Sequence, residues 1–235
     1  MRQHVLPRAS LNRFCGEHGQ LELVDKALGK QRHARSDDHL FCAMRRWDQR
    51  AETGYMRGIE DDFQQLAEGI IRDDVKTLDE TGRDIVQRFF ALWGLRGHFK
   101  DEPSGNVRLN GTAAPGRQFS VDELERVEKL GATAIQPDGA VAGRHLTGLN
   151  IQMNIDRLAE EARSIPWGIA KSEDGQFLVS DRPFEMVVPV TPTIMLFGGN
   201  PSGIIELESL RDFNRRVMKN SQRFYFGQEI TAAPV

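Results

Sequence analysis

The chain's patterning predicts an α+β fold, with a helical middle between N- and C-terminal strands that form a mostly antiparallel sheet. Two observations carry this reading. Apolar residues recur at helical steps between Ile59 and Ile70, and from Trp167 onward short apolar runs alternate with turn-forming residues. At 235 residues, 39% of them hydrophobic, the chain has enough apolar surface for a single domain with a full core over residues 1–235.

Taken in order, the first element is a strand over "QLELVD" (Gln20 to Asp25), entered through "GEHG" and left through "LGK". Ile59, Phe63, Leu66 and Ile70 then share one face of an amphipathic helix. Thr77-Leu78-Asp79-Glu80 has capping-box spacing and should open a helix that ends near Leu95 to His98. Residues 100–118 are polar and rich in Gly and Pro without periodicity, which predicts a surface loop. Ser120 to Glu123 repeats the capping box ahead of Val121, Leu124 and Val127. A further helix should cover Leu146 to Arg163 and end before Pro166. Residues 167–200 are strand-rich, with "WGIAK", "FLVS", "FEMVVPV" and "TIMLF" set apart by turns, and a helix near Glu206 to Lys219 and a strand "RFYFG" follow.

The formal net charge of −3 gives no bulk reason to coat a nucleic-acid backbone, although a local basic pocket for a nucleotide or nucleic acid remains compatible with it. No apolar run approaches the ~20 residues of a membrane span, and the first residues lack a signal peptide's apolar segment. Two cysteines are too few for a disulfide scaffold. These features predict a soluble, cytoplasmic protein.

Some residues break the pattern of their own element. Ile85, Phe89, Leu92 and Arg96 lie on one helix stripe, so Arg96 points where a core side chain should be. Three readings are open: reaching water from the helix end, a buried ion pair, or a ligand contact. Asn214 likewise falls between Leu210 and Val217 on an apolar face. Pro183 cannot donate a ladder hydrogen bond, so "FLVS" should stop near Ser180 and turn. Ser180, Asp181 and Arg182 then sit at a strand end, where side chains commonly face a cleft; an Asx turn onto the local backbone is the plainer reading of Asp181.

These landmarks, in this order, resemble a known family. His4-Val5-Leu6-Pro7 with Leu11 and Phe14, "RFFALWGLRGHF" around Arg96, "FLVSDRPF", Val190 to Pro192, and Asn214 are similar to the motifs of the mainly bacterial domain-of-unknown-function family 4238. One departure is Val179, where the family usually has threonine. The resemblance implies no activity. What it implies is positional: His4, Arg96, Ser180, Asp181 and Asn214 belong together as a set.

Three functions compete for that set. In the first, a phosphoester hydrolase or nuclease uses His4 as general acid or base, Asp181 to orient His4 or hold a divalent metal, and Arg96 to offset charge on the phosphate, with Ser180, Arg182 and Asn214 as binding residues. In the second, a non-catalytic interaction protein, such as a toxin, defence or phage component, keeps the same residues as a structural polar network. In the third, Cys15, His18, His39 and Cys42 bind zinc through two short-spaced pairs. "FGGNPSG" lacks the end of a phosphate loop, and neither a nucleophile elbow nor a His-Glu-x-x-His helix occurs.

Overall fold

The computed structural model describes residues 2–235, and it is an α+β fold with mainly antiparallel sheets. Strand β1 (Arg2–His4) and the short helix α1 (Arg8–Asn12) lead into the β2–β3 hairpin (Leu21–Asp25, Lys30–Ala34) and β4 (Cys42–Met44). A long helix follows in three parts: α2 (Gln49–Ala51), a π-turn over Glu52–Met56, and α3 (Arg57–Ile71). After α4 (Glu80–Asp101) come β5 (Val107–Arg108), α5 (Val121–Lys129), β6 (Ala140–Val141) and α6 (Gly143–Glu161). The C-terminal part holds β7 (Trp167–Lys171), β8 (Val179–Ser180), β9 (Val187–Thr191), β10 (Ile194–Gly198), β11 (Gly203–Ile204), α7 (Leu207–Asn220) and β12 (Phe224–Gly227).

β1–β4 and β5–β6 pair separately, and the other eight strands form two four-stranded sheets rather than one. Their orders are β3-β2-β12-β8 and β11-β7-β10-β9, and only the β11–β7 pair is parallel within them. The "FLVS" strand therefore leaves its sequence neighbours and joins the N-terminal hairpin through β12, whose Tyr225 faces Val24 on one side and Ser180 on the other. Aromatic side chains reinforce this closure. Phe14 meets Phe226 edge-on at 5.5 Å, and Phe41 packs against both Phe224 and Phe226.

Helix α3 lies on α4 through stacked Phe63 and Phe89, both fully buried. The helix start differs from the capping-box expectation, because Asp79 and not Thr77 is the cap, accepting from the Gly82 amide at 2.7 Å. α4 also runs on past His98 to Asp101, whose carboxylate pairs with Arg182 and Arg223. An acid in a helix's last turn opposes the macrodipole, so those two arginines are what make it tolerable there. The second capping box forms as expected, with Ser120 and Glu123 each bonded to the other's backbone amide. The 100–118 segment is exposed almost throughout, yet Val107 and Arg108 pair with Val141 and Ala140. Helix α6 starts at Gly143, three residues ahead of the expected Leu146. Among the described residues no helix is long and apolar enough to cross a membrane.

Candidate functional site

The N-terminal motif is mostly packing. Pro7 closes the extended stretch and precedes α1, while Leu11 and Phe14 are fully buried. His4 pairs with Cys42 across β1–β4, and its Nε2 lies 3.2 Å from the Ser36 carbonyl oxygen. A carbonyl can only accept, so Nε2 carries the proton and the neutral ring keeps Nδ1 as its lone-pair nitrogen. Burial lowers the His4 pKa below its ordinary 6.5, helped by Arg8 and Arg96 and opposed by the Ser36 bond and Glu52. Next to it Gln3, almost fully buried, donates to the Trp47 carbonyl at 2.8 Å and accepts from the Arg46 amide at 2.8 Å.

Of the three readings for Arg96, the buried ion pair is the one observed. Its side chain is 1% exposed, and because α4 continues past it there is no helix end from which to reach water. One amino group donates to Glu60, the other to Glu52 at 3.0 Å, and the guanidinium lies 5.4 Å from the Trp47 ring centre. Trp47 donates its indole N–H to the same Glu52 oxygen. Burial raises the Glu60 carboxyl above its ordinary 4.5 despite the guanidinium, and Glu52 and Asp61 push it the same way.

The π-turn explains how two glutamates eight residues apart reach one guanidinium. In an unbroken α-helix that spacing leaves them about 80° apart, whereas one extra residue absorbed in the π-turn reduces the offset to about 20°. Glu52 opens that turn and Glu60 follows it in α3. Sequence reasoning missed Glu52 and Glu60 for this reason, since regular periodicity puts the two acids on different faces, and it also passed over Gln3 and Trp47, which lie outside that helix. The available signal was the need of a core-facing arginine for a carboxylate.

Asp181 lies elsewhere. Its two oxygens accept from the backbone amides of Gln222 and Arg223, both at 2.9 Å, so it closes the turn between α7 and β12 rather than an Asx turn of its own. Ser180 is buried and donates to the Arg182 carbonyl, and Arg182 pairs with Asp101. These residues, with Lys100 and Arg223, line a cleft of about 20 Å³, room for one water molecule. Neither His4 nor Arg96 lines it. Lys100 donates to the Leu40 carbonyl at 2.6 Å, and burial lowers its pKa. Asn214 is fully buried in a third place, accepting from the Leu178 amide and donating to the carbonyls of Gln176 and Pro234, each at 2.9 Å.

No family model, curated protein or solved structure matches this chain. The site therefore rests on its own geometry. That geometry brings His4 and Arg96 into one electrostatic neighbourhood and places Ser180, Asp181 and Arg182 in a separate cleft. The proposed zinc ligands also part company. Cys15 donates to the Leu11 carbonyl at 3.7 Å, Cys42 is buried opposite His4, and His39 is exposed beside Asp38. Among the described residues no group of three or more His, Cys, Asp or Glu is placed to hold a metal ion.

The His4 shift has a direct consequence for stability. The unfolded chain takes up the imidazole proton near pH 6.5 while the folded chain resists it, so stability should be full above 6.5 and fall as pH drops through the lowered value. Urea unfolding at pH 7.5 and pH 5 checks this, with His4→Gln expected to flatten the difference. An equal difference in the variant would place the pH sensitivity elsewhere.

Proposed function

We propose that the chain is a hydrolase acting on phosphoesters by acid–base chemistry at the cluster of His4, Glu52, Glu60 and Arg96. The observation that carries this reading is a pair of opposed shifts. An imidazole lowered by burial and a carboxyl raised by burial both lie in the field of Glu52 and Arg96, which moves base and acid toward similar pKa values. The glutamates keep water access, at 24% and 23% side-chain exposure. His4 Nδ1 takes the proton of the attacking water, and the protonated form of Glu60, which burial favours, gives its own to the leaving oxygen and is left as the carboxylate that Arg96 holds. Arg8 is exposed and leans on the Ser36 hydroxyl at 3.4 Å, which puts a free face of its guanidinium near His4 for a phosphate oxygen. Arg96 positions the carboxylates and does not touch substrate, because it is sealed. In this reading Asp181, bound to the Gln222 and Arg223 amides, neither orients His4 nor holds a metal, and Glu60 is an acid that the sequence reading did not name. The resemblance to family 4238 supports the prominence of His4 and Arg96 and supplies no chemistry.

A second reading is favoured by the closure of the polar contacts. Arg96 and Asn214 are buried with partners inside the chain, as a structural network in a non-catalytic interaction protein requires. Hydrolysis of bis(p-nitrophenyl) phosphate, p-nitrophenyl phosphate and an oligoribonucleotide separates the two. The enzyme reading expects turnover that falls roughly 10²–10⁴-fold in His4→Gln and Glu60→Gln at unchanged stability. Asp181→Ala should instead cost about 1–2 kcal/mol of stability, by analogy with loss of a helix cap, and leave the rate intact. Wild-type protein inert on all three substrates, or variants whose activity tracks only their stability, would favour the structural network.

A further inference from the structure

One face of α4 is only partly covered. Gln87, Phe90, Ala91, Gly94 and Leu95 follow one another at steps of three, one, three and one, so they share a stripe of the helix. Ala91 and Gly94 are small where their neighbours are large, and the space beside them is a groove of about 350 Å³. Leu158, Ala162 and Ile165 line it from the end of α6 and the turn beyond, and Met186 from the approach to β9. Phe90, Leu95, Leu158 and Met186 rest on the core yet stay half-buried. The volume falls in the range of small-molecule sites, about 300–1,000 Å³.

Gln87 is the polar member of the stripe, and it is 3% exposed. Its Nε2 donates to the Ala162 carbonyl at 2.7 Å and lies 3.5 Å from the Ile165 carbonyl. Both carbonyls can only accept, which fixes the amide with its nitrogen toward them and Oε1 turned away. Among the described residues nothing donates to Oε1, yet it is not sealed as the unpartnered Trp167 Nε1 and Ser172 Oγ are. The arginines of the polar cleft beyond it, Arg83, Arg88 and Arg163, are bonded instead to the Asp79 carbonyl, to Asp84 and Asp156, and to Glu80.

Charge narrows what the groove can hold. No lysine or arginine lines it, and its one charged member, Glu161, is exposed and paired with Arg157 at 3.2 Å. An anion would lose its hydration there without gaining a counter-charge, whereas a neutral molecule with one donor matches the apolar walls and the amide oxygen. Phe90 and Met186 favour a ring, through aromatic and sulfur–aromatic contacts.

We infer that this groove binds a small neutral aromatic alcohol, whose ring lies against Phe90, Leu158 and Met186 and whose hydroxyl donates to Gln87 Oε1. The site shares no residue with the His4 cluster and does not depend on the phosphoester reading. Calorimetric titration of the full chain with p-propylphenol tests it, with p-propylanisole, which keeps the body and loses the donor, and p-propylbenzoate, which adds a negative charge, as controls. Saturable binding of the phenol is expected, roughly 3–10-fold tighter than that of the anisole, in line with one neutral hydrogen bond, and no binding of the benzoate. In Gln87→Leu the preference for phenol over anisole should vanish. Ala162→Phe should abolish binding by filling the groove while keeping the carbonyl to which Gln87 donates, and this variant carries the comparison if Gln87→Leu does not fold. Equal affinity for phenol and anisole, a preference that survives in folded Gln87→Leu, or undiminished binding in Ala162→Phe would overturn the assignment. Absence of phenol binding together with a wild-type dimer that Ala162→Phe dissociates would also overturn it, giving the groove to a second copy of the chain.

Discussion

Replacing Arg96 by methionine is expected to remove about 3–5 kcal/mol of unfolding free energy, because it strands two carboxylates that one buried guanidinium neutralises. The loss should depend on pH with a definite sign. Above about 4.5, the ordinary glutamate value, the unfolded chain ionises Glu60 freely while the folded variant resists, so the deficit is largest at neutral pH and shrinks as pH falls toward and below that value. Adding Glu52→Gln and Glu60→Gln to Arg96→Met should restore much of the stability, since the cost lies in uncompensated charge and not in lost attraction. Urea unfolding of the single and triple variants at pH 7 and pH 4.5 decides it. A single variant no less stable than the wild type would mean that the ion pair contributes nothing net.

Asn214→Ala should cost about 3–5 kcal/mol by a different route, leaving one buried and two part-buried backbone groups unpaired at about 1–3 kcal/mol each before relaxation. The amide side chain joins three segments that no strand ladder connects at those atoms: the approach to β8 through Gln176 and Leu178, α7, and the C-terminal stretch at Pro234. Hydrogen exchange should therefore show faster opening of the Leu178 amide in the variant than in the wild type. Protection unchanged at Leu178 would show that another acceptor replaces Asn214.

The longer helices and half of the strands were legible because their signals are local, whereas short elements such as β1, β4 and α1 carry too few residues to show a period. The steps from Ile59 to Ile70, the Ser120–Glu123 box and the break at Pro183 all act within one turn of the chain, and each appears where it was read. Pairing was not legible in the same way. "FLVS" and "FEMVVPV" look alike in sequence but sit in different sheets, because β8 is claimed by β12 and β9 by β10. The site was half legible for a related reason. A core-facing Arg96 announces a missing acid, but the acids come from a helix whose π-turn resets the phase that periodicity relies on. Asp181 misled because a strand-end acid before an Arg-Pro pair looks the same whether it faces a ligand or ties down a turn more than forty residues away.

The place of β12 between β2 and β8 has a consequence for how the molecule is made. Asp25 and Phe224 are partners in the sheet although about 200 residues separate them, which at about 5–20 residues per second means a wait of roughly 10–40 s during translation. Through that interval the β2–β3 hairpin has one edge without its neighbour, and Phe14 and Phe41 lack the Phe226 ring against which they rest. The nascent chain thus emerges with its amino-terminal hairpin as an open template, and its exposure to holdase chaperones should end only when the last strand is delivered.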